Sequence, residues 1–202
     1  QYCTVFLNIS KEESMTAFTT EKIDVEPWFD MELFMGVSQE TRLGGDVMDR
    51  FMTLWKNWLP HLTVKGIDTG KIKYLLVALD ESVEQDVDKA WEGSPSNAFL
   101  YNALAQTMCM AAVHAVIPEV QDAGCAPAPK PTATLREALE AEGIPYSNDK
   151  DPILSRRYAV VTHYPFKGGC EICVLQSNCP KGQGQMEATS VVLPGYEHPQ
   201  QM

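Results

Sequence analysis

The chain has 202 residues with 45% hydrophobic content, enough for one sizeable core, and 27 acidic against 16 basic residues set its net charge at −11. With a sequence pI of about 4.8, its overall field repels phosphate backbones and anionic lipid, so neither nucleic acid nor a membrane is an expected partner. No apolar run reaches the roughly 18 residues of a membrane-spanning helix, and Gln1 to Ser10 lacks the basic and apolar regions of a secretory leader, so a cytoplasmic location is expected.

In chain order, Gln1 to Ile9 is apolar and β-branched enough for a strand, and Ser10-Lys11-Glu12-Glu13 has the pattern of a capping box opening a helix. From Asp46 to Leu59 the residues Val47, Met48, Phe51, Leu54, Trp55 and Trp58 recur at three- and four-residue spacing, one face of a helix that ends before Pro60. Such an aromatic stripe is expected in a core. Ile72 to Leu79 is continuously apolar apart from Lys73, and Ser82-Val83-Glu84-Gln85 reads as a second capping box for a helix reaching Trp91. The acidic run Asp80, Glu81, Glu84, Asp86, Asp88 is expected to be a solvated face that also complements the helix N-terminus.

Asn97 to Val116, stopped by Pro118, is the longest helical stretch, and its many alanines permit close backbone packing. The stretch Asp122 to Pro131, with Gly124, Cys125 and three alternating prolines, predicts an extended loop. Thr134-Leu135-Arg136-Glu137 is expected to cap a short helix that Gly143 ends in the left-handed conformation, and Arg157 to His163 reads as a buried strand. This order points to an α+β or α/β fold with one main domain and a central long helix. Its expected parts are an α/β core over 1–121, a Pro-rich linking loop over 122–131, and a helix, strand and cysteine-bearing extension over 132–202.

The six cysteines, at positions 3, 109, 125, 170, 173 and 179, admit two explanations: disulfides in a secreted protein, or thiolates kept for a metal in a reducing compartment. The sequon Asn8-Ile9-Ser10 speaks for the first. Chain length speaks for the second, because disulfide scaffolds are usually far smaller.

Cys170-x2-Cys173-x5-Cys179-Pro180 carries the chemistry. Two thiolates three positions apart can face one ion or cluster, and a five-residue excursion without secondary structure returns the chain to a third corner. Cys170, Cys173 and Cys179 are therefore the expected metal ligands. Cys125, in its Gly/Pro loop, is the first choice for the fourth, with His163 as an alternative that would complete a zinc site. Cys109, inside the long helix, is expected to be core. An iron–sulfur cluster, of the 4Fe–4S type, is favoured over zinc, whose structural sites usually come as two paired knuckles. Electron transfer, redox sensing or service to a metalloenzyme is the expected role, with a protein redox partner or that metalloenzyme as partner. The alternative is a zinc-stabilised interaction domain. No Gly-x-Ser-x-Gly, Walker A or His-Glu-x-x-His accompanies the cysteines, so no catalytic residue is assigned.

The cysteine spacing resembles the cluster-binding tails of endonuclease III-type glycosylases and of RecB-like and CRISPR-associated nucleases, which implies cluster ligation by Cys170, Cys173 and Cys179. Nuclease activity is not implied, for no Asp-x-Lys or Glu-x-Lys occurs in the chain. A second likeness runs through Leu79-Asp80-Glu81-Ser82-Val83 and Leu100-Tyr101-Asn102-Ala103-Leu104-Ala105-Gln106. These stretches resemble the proteins related to the activation domain of cobalamin-dependent methionine synthase, some of which end in a cysteine cluster. That family's Arg-rich, Gly-Tyr-containing adenosylmethionine segment has no counterpart between Val116 and Cys170.

Overall fold

The computed structural model describes residues 17–148 and 152–184; the strand expected over Gln1 to Ile9, the capping box after it, and Cys3 fall outside them. Four strands, β1 (Thr19–Lys22), β2 (Leu62–Asp68), β3 (Lys73–Leu79) and β4 (Ala159–His163), form one sheet in the order β1-β2-β3-β4. Every neighbouring pair is antiparallel, with Leu62 opposite Leu79 and Tyr74 opposite His163. With helices α1 (Met31–Ser38), α2 (Gly45–Trp58), α3 (Glu81–Gly93), α4 (Pro95–Val116), α5 (Glu119–Ala123) and α6 (Ala133–Ala141), this is an α+β domain.

The apolar run of β3 is explained by burial on both faces. Leu75, Val77 and Leu79 enter a cluster with Phe51, Trp55 and Trp58 of α2, Val83 and Val87 of α3, and Leu104, Met108 and Ala112 of α4. Tyr74, Leu76 and Ala78, on the other face, pack with Leu135, Ala138 and Leu139 of α6. Each large side chain so buried contributes about 1.5–3 kcal/mol relative to exposure. By length and composition α4 is apolar enough to cross a membrane. Ten of its residues are buried, and it packs against α1, α2, α3 and β3.

Helix boundaries follow capping chemistry and correct three expectations. The cap of α3 is Asp80, whose carboxylate accepts from Ser82 N at 2.9 Å, so Ser82 lies in the first turn instead of capping it. Thr132, not Thr134, caps α6 by accepting from Leu135 N at 3.2 Å. Ser94 caps α4, which therefore starts at Pro95, where proline's missing N–H costs nothing. Gly143 ends α6 as expected, at φ 73°. Its N–H donates to Glu140 O and that of Ile144 to Leu139 O, a Schellman closure with Ile144 and Leu139 in one apolar cluster.

The acidic run is more than a solvated face. Asp86 accepts from Trp58 Nε1 at 2.8 Å, Glu84 accepts from Arg157 N at 2.9 Å, and Asp88 accepts from both terminal guanidinium nitrogens of Arg157, at 2.7 and 3.2 Å. These bonds hold residues 156–157 on α3, so β4 begins at Ala159 and not at Arg157. Tyr158 then buries its ring in the core and donates from its hydroxyl to Asn102 Oδ1 of α4 at 3.0 Å.

Candidate metal centre

Cys125 follows the end of α5, where Gly124 takes the left-handed conformation at φ 67°. Pro127, Pro129 and Pro131 offer no N–H, which leaves the carbonyls of this loop to find donors elsewhere. They are found on both sides of the cysteine. Lys181 Nζ donates to Ala123 O at 2.8 Å, the buried Thr162 hydroxyl of β4 donates to Pro127 O at 3.0 Å, and Val174 N donates to Ala128 O at 3.0 Å. Two of the three donors come from the C-terminal cysteine segment, which is thereby laid against the Cys125 loop.

That segment is a chain of tight turns. Gly168, at φ 145°, lies where a side chain is strained, and an added Cβ would meet Glu171 Oε1 at 2.2 Å. The same carboxylate oxygen accepts from Gly169 N at 2.9 Å and fixes the approach to Cys170. A 3-10 turn over Cys170–Ile172 closes with Cys173 N donating to Cys170 O at 3.1 Å. Gln176 N donates to Cys173 O at 3.1 Å, and Cys179 N to Gln176 O at 3.3 Å. The five-residue excursion is thus not without secondary structure, since Gln176–Asn178 forms a second 3-10 turn. Each turn sets one cysteine at its end.

The turns bring Cys170, Cys173 and Cys179 within electrostatic reach of Cys125. Burial pushes the Cys125 thiol up from its ordinary range; the Lys181 ammonium pulls it back, and Cys170, Cys173 and Cys179 push it up again through space. All four are half-buried and free of disulfides, as is the buried Cys109. Among the described residues, no three His, Cys, Asp or Glu side chains are grouped tightly enough to hold an ion as they stand.

Comparison of the chain with protein-family models, with curated proteins and with solved structures gives no match. Functional inference therefore starts from the donor set.

Four cysteine sulfurs suit an iron–sulfur cluster or zinc by softness and by number. Neither alternative ligand is placed to join them. Cys109 is 2% exposed, its Sγ lies 3.5 Å from Tyr158 O, and burial pushes its thiol up to about 12. His163 is next to Thr162 in β4, so its side chain takes the opposite face of the sheet, where its ring lies tilted against that of Tyr74, with centroids 5.4 Å apart. Its Nδ1 is buried without a hydrogen-bond partner, and burial, helped by the Lys167 charge, holds its pKa below the usual histidine range.

A second polar cluster has the composition of a hydrolase triad but not its wiring. His61 Nδ1 is 2.6 Å from Asp80 Oδ2 and 3.3 Å from Ser82 Oγ, and Ser82 Oγ also donates to Asp80 Oδ1. Serine and aspartate thus share one ring nitrogen, whereas a relay needs one at each. Burial opposes ionisation of Asp80, but the hydrogen bonds from Ser82 and His61 outweigh it and hold its carboxyl below the ordinary range. The cluster is a helix cap. Lys181 and Thr162, which position the Cys125 loop, carry no motif, because each acts on a backbone atom that only the folded chain brings near; Glu171 acts locally, on Gly169 N two residues before it.

Proposed function

We propose that Cys125, Cys170, Cys173 and Cys179 hold an iron–sulfur cluster, of the 4Fe–4S type, in a protein that transfers electrons, senses redox state or serves a metalloenzyme. The observation that carries this reading is a contrast in burial: from His163 to Gly184 no residue is buried. A segment with so little apolar anchorage is held by a few hydrogen bonds, and sulfur–metal bonds are the natural staple for such a unit. The electrostatic influence of the other three cysteines on Cys125 supports it as the fourth ligand that the spacing alone leaves open.

A bound cluster supplies a one-electron couple. The chain's own residues do the rest. Cys125 would tie the loop after α5 to the C-terminal turns, and Lys181, bonded to Ala123 O, sets a cation beside sulfurs that are anionic when they ligate. Val174 N, committed to Ala128 O, keeps the turn from swinging away. Service to a metalloenzyme is proposed on the cysteine segment alone.

Anaerobic purification followed by iron, acid-labile sulfide and zinc counts tests the reading, with about four iron and four sulfide per chain expected and a broad visible absorption that bleaches with dithionite. One zinc per chain, no iron and no visible band would replace it with the zinc-stabilised interaction domain.

A further inference from the structure

Among the described cysteines, one pair is joined by a backbone hydrogen bond. Cys173 N donates to Cys170 O at 3.1 Å and closes the 3-10 turn over Cys170–Ile172. One turn of such a helix rises about 6 Å, and side chains three positions apart lie one over the other. A disulfide needs Cα atoms about 4.4–6.8 Å apart. The sulfurs of Cys170 and Cys173 can therefore be joined by side-chain rotation, with the backbone left where it is.

The turn is held from both sides. Before it, Gly169 N donates to Glu171 Oε1 at 2.9 Å, and Gly169 O accepts from Ile172 N at 3.4 Å. After it, Val174 N donates to Ala128 O at 3.0 Å, and Cys173 O accepts from Gln176 N at 3.1 Å. Both thiols are free and half-buried, within reach of a small molecule, whereas that of Cys109 is buried. A chain that already holds two thiols in bridging geometry loses little further entropy when they close.

Cys179 and Cys125 are placed differently. A second turn, over Gln176–Asn178, separates Cys179 from Cys173. The loop of Cys125 meets the segment through Ala123 O, which accepts from Lys181 Nζ, and through Ala128 O, which accepts from Val174 N. Neither cysteine shares a backbone hydrogen bond with another cysteine among the described residues.

We propose that Cys170 and Cys173 are a redox-active dithiol that exchanges with small disulfides of the glutathione type. One of the two, as its thiolate, attacks a sulfur of the incoming disulfide; that S–S bond breaks, and the departing thiolate takes up a proton. The second thiol then gives up its proton and attacks the protein sulfur of the mixed disulfide, which expels the other half as a thiolate. The pair has lost two electrons and two protons, and the small disulfide has gained them and become two thiols. No metal takes part, so the inference stands apart from the cluster reading. It bears on that reading all the same, because closing the pair withdraws two of the four proposed ligands in one event.

The test uses the full-length chain, stripped of metal by a chelator under reducing conditions, with its helical circular dichroism intact. The chain is equilibrated anaerobically in mixtures of reduced and oxidised glutathione, and acid quenching, alkylation and peptide mass spectrometry place the disulfides. One bond is expected, between Cys170 and Cys173, and it should be lost again as reduced glutathione is raised. Its exchange constant should be at least about tenfold more favourable in the folded chain than in urea, where the turn is gone. Cys125→Ser and Cys179→Ser should each leave that constant unchanged. A dominant bond to Cys125 or Cys179, no bond within the chain, or equal constants in the folded and unfolded chains overturns the proposal. Iron counted on the chain before it is stripped decides the cluster reading separately, so the two can fail independently.

Discussion

The sheet with its helices and the C-terminal cysteine segment are built on opposite principles. In α4 ten residues are buried, and β3 is buried at every position but Lys73; between His163 and Gly184 none is. The first region is stable because water is driven from a large apolar surface, a contribution spread over many side chains. The second has turns, carbonyl acceptors and sulfurs, each a discrete bond that is present or absent. Loss of one core side chain should therefore weaken the whole molecule, whereas loss of one sulfur should release a segment.

The largest effect expected is in the core. Leu75→Ala removes a side chain with no exposure at the centre of β3, and denaturant unfolding should show a loss of about 2–5 kcal/mol in a single transition followed by probes in both regions. A loss confined to the cysteine segment would break the comparison. Cys173→Ser should do the reverse, losing most of the bound metal while the helical circular dichroism of α4 and its neighbours stays intact. Full metal content in that variant would remove Cys173 from the ligand set.

Cys125→Ser sharpens the boundary between the regions. A bond from Cys125 to a centre at Cys170 closes a loop of about 45 residues, and such long closures restrict local opening. The variant should keep a labile centre, with faster amide exchange over residues 125–131 and 170–179 and unchanged exchange in α4. Equal metal retention and equal exchange would give the fourth position to another ligand.

Cys109→Ala carries the smallest effect, on the order of 1 kcal/mol, with metal content unchanged. It also has a pH signature. The buried thiol keeps its proton to about 12, while its ordinary value is 9.0. Above pH 9 the unfolded chain therefore releases a proton that the folded one retains, and stability should fall as pH rises from 9 to 12. Burial raises Tyr146 to about 12 as well, and moves Tyr74 and Tyr158 in the same direction. The alanine variant should accordingly show a shallower alkaline slope, not a flat one, in denaturation midpoints taken across that range.

The two regions also differ in how far they could be read from sequence. Helices α2 and α4 and strand β3 follow patterns of burial that are written locally, and the structure has them within a few residues of the expected limits. Strand β1 was illegible because Thr19–Lys22 is exposed throughout and is a strand only through its pairing with β2. Strand β2 was hidden by Gly66, which has no side chain to mark its face and packs under Glu21 of β1. Helices α1 and α5 are too short for a period to emerge. In the cysteine segment the spacing of Cys170, Cys173 and Cys179 was legible, and the Pro-rich loop made Cys125 eligible as a fourth ligand. The bonds that bring that loop to the segment, from Lys181, Thr162 and Val174, join residues more than thirty positions apart and leave no local trace.

The position of Cys125's loop has a further consequence for the lifetime of the protein in solution. β4 is one of the two outer strands of the sheet, and the loop that lies against the side chain of its Thr162 is rich in proline, which cannot extend a hydrogen-bonded ladder. We expect that, as long as the cysteine segment is anchored beside this strand, an incoming strand from another molecule finds a poor template. Oxidation or chelation that frees the segment would loosen this cover and offer the backbone of β4 for strand addition, so damage to the sulfurs would first be felt as self-association. Light scattering of the protein before and after treatment with a chelator should register it while the helical signal is still intact.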